Sequence, residues 1–114
     1  MSPIRIVLLI IIWFNFLGTA LIGQTQLPAK KEINKLIASA TKLRESGDFE
    51  KSLLISRLAL RKALSIKDNV LIAENYNNVA ANFNALAESD KAVFYYDKAL
   101  RYANLTEHAT LKHR

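Results

Sequence analysis

The chain has 114 residues, one domain at most, and 51% of them are apolar, part of that share gathered in one block near the start. Its formal charge is +6, but the basic residues are scattered, with local groups at Lys30, Lys31, Lys35 and at Arg57, Arg61, Lys62 that read as solvated helix faces, so nucleic acid is not the expected partner. There is no cysteine, which excludes disulfides, thiolate zinc sites, a cysteine nucleophile and a cysteine-borne lipid anchor. The two histidines, His108 and His113, lie in the last seven residues.

The first element is residues 1–23. A short start carrying Arg5 leads into an apolar run from Ile6 to Leu17, broken only by Asn15, and then into Gly18, Thr19, Ala20 and Gly23. A charged start, a short apolar middle and a small-residue exit make a secretory signal, with cleavage after Ala20 or after Gly23. The alternative is an uncleaved anchor. Ile6 to Ile22 is 17 residues, the lower limit for crossing a bilayer. Lys30 and Lys31 offset Arg5, so flanking charge does not decide the orientation. Either reading carries the rest of the chain out of the cytoplasm, exported or held at the cytoplasmic membrane by residues 6–22.

Residues 24–32 read as a linker and helix start, with Pro28 suited to a first helical turn. Ile33, Leu36, Ile37, Ala40 and Leu43 then recur at helical spacing. Gly47 supplies a left-handed stop, and Asp48 caps a second helix. That helix gathers Ser52, Ile55, Ser56, Ala59, Leu60 and Ala63 on one side. Residues 67–69, Lys-Asp-Asn, read as a turn. A third helix is expected from Val70 to Leu86, with the stripe Ile72, Ala73, Tyr76, Val79, Ala80, Phe83 and Leu86. A break at Glu88, Ser89 and Asp90 precedes a fourth helix, which carries Ala92, Tyr95, Tyr96, Ala99 and Leu100 and runs to about Ala103. Asn104 is expected to end it, leaving residues 104–114 as a tail or the start of an incomplete further repeat.

The two halves match at an offset of 40. Leu36 meets Tyr76, Ala40 meets Ala80, Leu43 meets Phe83, Ser52 meets Ala92 and Ser56 meets Tyr96. Ala59, Leu60 and Arg61 meet Ala99, Leu100 and Arg101 unchanged. Apart from Ser56 with Tyr96, small residues pair with small ones and large with large, the mark of a repeat. Two closely crossing helices need small side chains at the contact, which accounts for Ala80, Ala92 and Ala99. Aromatics such as Phe83 and Tyr96 fill the space beside them.

In these features the chain resembles the tetratricopeptide repeat in its longer form, over residues 33–103, as two repeats of about 33–66 and 73–103. The signature places are held by Tyr76, Val79, Ala80, Phe83, Ala92, Tyr96, Ala99 and Leu100 in the second repeat. Leu36, Ala40, Leu43, the Gly-Asp-Phe at 47–49, Ala59 and Leu60 hold them in the first. Ser39 and Ser56 stand where larger residues are usual in the family, and Ala-Glu-Ser at 87–89 replaces its glycine turn. The resemblance implies an all-α, right-handed solenoid of antiparallel hairpins and a non-catalytic scaffold that holds a peptide or protein. The implied groove is lined by the first helix of each hairpin, here Asn34, Ile37, Thr41 and Arg44, then Glu74, Asn77, Ala81 and Asn84. Ile37 with Thr41, and Asn77 with Ala81, do not match the family's lysine–asparagine clamp for a terminal carboxylate. Exported bacterial arrays of this form often precede a membrane segment and a signalling module, so the alternative role is a membrane-anchored subunit or sensor fragment of an envelope signalling system.

With two hairpins, the last apolar face, around Tyr95, Tyr96 and Leu100, is expected to be partly open and available for self-association or for a partner. The third helix concentrates asparagine at 75, 77, 78, 82 and 84. Asn77 with Asn84, and Asn78 with Asn82, fall on neighbouring faces, as a hydrogen-bonding strip for a peptide backbone or an ordinary wet surface. Arg57 and Arg61, with Arg101, make either a cationic ridge or solvated charges paired locally, as Arg101 with Asp97. Asn104-Leu105-Thr106 matches a glycosylation acceptor, of consequence only in a eukaryotic secretory route. Neither HExxH nor GxSxG nor a glycine-rich phosphate loop is present, and no carboxylate pair is gathered with a base, so no enzyme, cofactor or metal site is expected.

Overall fold

The computed structural model describes residues 26–112, with side chains to Glu107. The expected signal or anchor at 1–23 lies outside the described residues. Among those described, four helices and no strands are present: α1 (26–45), α2 (Phe49–Ser65), α3 (Asn69–Ala85) and α4 (Ser89–Lys112). No helix among them is long and apolar enough to cross a membrane.

The three turns are copies of one another at a spacing of 20 residues. Gly47, Lys67 and Ala87 each take a positive φ, at 84°, 56° and 62°. Each N–H bonds a carbonyl three residues back: Gly47 to Arg44 at 3.0 Å, Lys67 to Leu64 at 3.2 Å, Ala87 to Asn84 at 3.1 Å. The next N–H reaches five back: Asp48 to Leu43, Asp68 to Ala63, Glu88 to Phe83. This is the Schellman closure, which satisfies the last carbonyls of one helix. The residue that completes it also opens the next helix. Asp48 accepts from the Lys51 N–H and Asp68 from the Leu71 N–H, and the Glu88 carbonyl takes the first intrahelical bond, from Ala92. Stop and start share one residue, so successive helices fold back on each other with no slack.

The helices therefore pack in chain order, α3 against both α2 and α4. The core joins Ile33 of α1, Ala59, Leu60 and Ala63 of α2, Leu71, Ile72, Tyr76, Val79 and Phe83 of α3, and Ala92 and Ala99 of α4. The alanines expected at close crossings, including Ala40 and Ala80, are buried. Leu36 and Ile37 pack against this core, and Leu43 is half-buried. Between α3 and α4 the rings interleave in the order Tyr102, Tyr76, Tyr95, Phe83, stacked at centroid distances of 5.6, 6.1 and 5.4 Å. That order falls along α4 as it rises along α3, as antiparallel neighbours require.

Three expectations are corrected. Asn78 and Asn82 do not lie on a wet face. Together with Asn75 they are buried, because the side of α3 that carries them is covered by α2. The turn expected at 67–69 is 66–68, and Asn69 is already helical. The fourth helix does not stop at Asn104 but continues to Lys112, since asparagine without a positive-φ successor does not close a helix.

Candidate functional site

Among the described residues, α1 and α3 present the eight positions expected to line a groove. Asn34, Glu74, Asn77 and Asn84 are exposed, and Ile37, Thr41, Arg44 and Ala81 are half-buried. The Thr41 hydroxyl donates to the Ile37 carbonyl at 2.9 Å, so it already has a partner within its own helix. Glu74 forms no ion pair among the described residues, although five other acids do: Glu32 with Lys62, Asp48 with Lys51, Asp68 with Lys30, Glu88 with Lys91 and Asp97 with Arg101. Arg101 is thus paired locally. Arg57 instead lies over the Phe83 ring, 5.3 Å from its centroid, where the cation meets the negative face of the aromatic.

The five asparagines of α3 divide by face. Asn77 and Asn84 look outward. Asn82 is fully buried, and its amide nitrogen donates to the Ser52 hydroxyl at 2.9 Å and to the Asn78 carbonyl at 3.1 Å. Ser52 in turn donates to the Ala40 carbonyl at 2.7 Å. One polar seam thereby ties α1, α2 and α3 together. Asn75 donates to the Leu71 carbonyl within its own helix. The Oδ1 atoms of Asn75 and Asn82 have no partner among the described residues.

A concave feature that brings distant residues together lies between α3 and α4. It is an open groove of about 430 Å³, floored by Ala99 and lined by Ala73, Glu74 and Asn77 on one wall and Tyr96, Leu100 and Ala103 on the other. Tyr96 is 40% exposed and Leu100 60%, although both occupy positions expected to pack. Tyr95, their neighbour, turns into the core instead and stacks on Phe83 and Tyr76. A second hollow, of about 370 Å³, is formed by consecutive residues 87–91 at the last turn and gathers nothing from elsewhere.

The groove joins two sets of residues that the sequence assigns separately: Glu74 and Asn77 from the expected binding strip, and Tyr96 and Leu100 from the expected packing set. Ala73 and Ala103 complete it, and their small size leaves the volume open. Their partners at the 40-residue offset, Ile33 and Ala63, are a signal for both positions, since each is buried in the first hairpin. Among the described residues, no three His, Cys, Asp or Glu side chains gather as metal ligands. Compared with family models, curated proteins and solved structures, the chain has no match.

Proposed function

We propose that this chain is a non-catalytic interaction module, a short tetratricopeptide-like array that holds a peptide or protein partner on the faces of α1 and α3. The uniform turn every 20 residues and the matching small residues at an offset of 40 support the repeat reading, because they give two hairpins of the same build. The observation that carries the binding reading is the continuity of polar and apolar surface at Glu74 and Asn77. These side chains are exposed, and they border the groove that leaves Tyr96 and Leu100 uncovered. Amide and carboxylate groups beside aromatic and aliphatic surface can fix both the register and the burial of a bound chain. The module acts outside the cytoplasm, delivered or held there by the apolar run from Ile6 to Ile22. N-terminal sequencing tests the delivery: an intact Met1 or Ser2 start would exclude the cleaved form.

The binding test is capture of partners from an envelope extract by the wild-type chain and by the Asn77→Ala, Asn84→Ala double variant. Loss of the same captured protein from the variant is expected. Equal capture by both would remove the α3 strip from the binding surface.

A further inference from the structure

We infer that the α3–α4 groove is the seat of a partner's α-helix, apolar along its contact stripe and carrying a lysine or arginine opposite Glu74. The inference rests on reading the chain as an interaction module, and the molecule itself supplies the evidence. Moving Tyr96, Leu100, Ala103 and Ala73 back 40 positions leads to the same place on the first hairpin, and there each counterpart is covered. Tyr96 at 40% exposure corresponds to Ser56 at 1%, and Leu100 at 60% to Leu60 at 9%. Ala103 and Ala73, both half-buried, correspond to Ala63 and Ile33, both at 0%. What covers the first hairpin is α3, laid along α2 with Asn82 seated between Ser52 and Ser56. The kind of object that fills such a groove is therefore visible once in the structure: a helix.

The differences between the two grooves define the chemistry of the second occupant. The side of α3 that includes Asn82 carries Leu71, Asn75 and Asn78 at helical spacing, and its polar end is matched by serines. In the second groove Ala92 and Tyr96 replace Ser52 and Ser56, so an asparagine placed as Asn82 is would lose the short serine hydroxyls that hold it, Ser52 above all, and an apolar residue is favoured. Glu74 replaces Asn34 and has no ion-pair partner among the described residues, so it selects a cation. Asn77 replaces Ile37 and offers an exposed amide to a polar group on the helix flank.

The α1 helix of a second copy of this chain does not supply such a helix. The stripe of α1 that corresponds to Leu71, Asn75, Asn78 and Asn82 is Lys31, Lys35, Ala38 and Lys42, all exposed. Three ammonium groups laid along a groove with one carboxylate would lose more hydration than they recover. Among the described residues, the α1 face is thus closed by charge to a helix of this kind, while the α4 face is uncovered.

The test uses the full chain and two synthetic helices of α3's length. Both carry leucine at the spacing of Leu71, Asn75, Asn78 and Asn82, with flanks of lysine in one and of glutamate in the other. Fluorescence anisotropy is expected to give binding of the lysine form at least about tenfold tighter, and Glu74→Lys should reverse the order. Leu100→Asp and Tyr96→Ala, both at exposed positions, should abolish binding of either peptide while the helical circular dichroism stays unchanged. Binding that survives Leu100→Asp, or that ignores flank charge, would overturn the inference. So would a concentration-dependent dimer of the chain that Leu100→Asp dissociates. A natural partner lost with Asn77→Ala, Asn84→Ala but retained with Leu100→Asp and Tyr96→Ala would overturn this inference and leave the α1–α3 reading standing.

Discussion

At the scale of single residues, the most informative contact is the amide of Asn82 on the hydroxyl of Ser52. The pair lies 30 positions apart in sequence, and both residues are buried. A helix rich in asparagine reads from sequence as a wet surface, because asparagine is a middling helix former that usually faces solvent. Nothing local distinguishes Asn82 from Asn84. The distinction comes from a serine on another helix, which is why only the outward pair, Asn77 and Asn84, was legible. The seam also carries a cost, since an unpartnered buried oxygen such as Asn82 Oδ1 opposes folding by about 1–3 kcal/mol. A double-mutant cycle of Ser52→Ala and Asn82→Ala should give a coupling of about 1 kcal/mol in urea unfolding. Strictly additive losses would mean the seam does not tie α2 to α3. Tyr76 provides a second test. Burial pushes its hydroxyl above the usual tyrosine value, with Tyr102 and Tyr95 adding to the rise. The folded state then holds this proton more tightly than the unfolded chain. The contribution is complete below the ordinary tyrosine value of 10.0 and is lost as pH climbs through the raised one. Melting temperature should therefore fall as pH rises above 10.0 toward the raised value, and Tyr76→Phe should blunt the fall.

At the scale of elements, the turns show where sequence reading works and where it stops. Gly47 was readable as a helix stop because glycine alone takes a positive φ without strain, and Asp48 was readable as a cap. Lys67 and Ala87 hold the same conformation with the same pair of backbone bonds, but nothing in their side chains announces it. The copies became visible only through the backbone. This asymmetry yields a direct expectation. Gly47→Ala should destabilise by about 1 kcal/mol through strain alone, because a Cβ at that position meets nothing within 4 Å. Lys67→Gly and Ala87→Gly should each be neutral or stabilise by up to about 1 kcal/mol, since relief of strain offsets the added freedom of the unfolded chain. Thermal unfolding of the three variants measures this, and a loss for all three would contradict a shared turn geometry. The length of α4 was misjudged for the same reason. Asn104 resembles a stop, yet it has no positive-φ residue after it.

At the scale of the whole molecule, the 40-residue offset was legible because it is written in the sizes of side chains. Ala59, Leu60 and Arg61 recur unchanged, and small residues recur where helices cross. Sequence could not show that one identical pair at matching positions, Leu60 and Leu100, has opposite environments. Leu60 lies under α3, and Leu100 has no helix laid over it among the described residues. That contrast is the basis of the proposed helix seat, and unfolding free energies read it directly. In the full chain, Leu60→Ala should lose about 2–4 kcal/mol in urea, as a covered leucine does, and Leu100→Ala should stay within about 0.5 kcal/mol of wild type. Equal and large losses at both positions would mean that the second hairpin is already covered, leaving no seat for a partner.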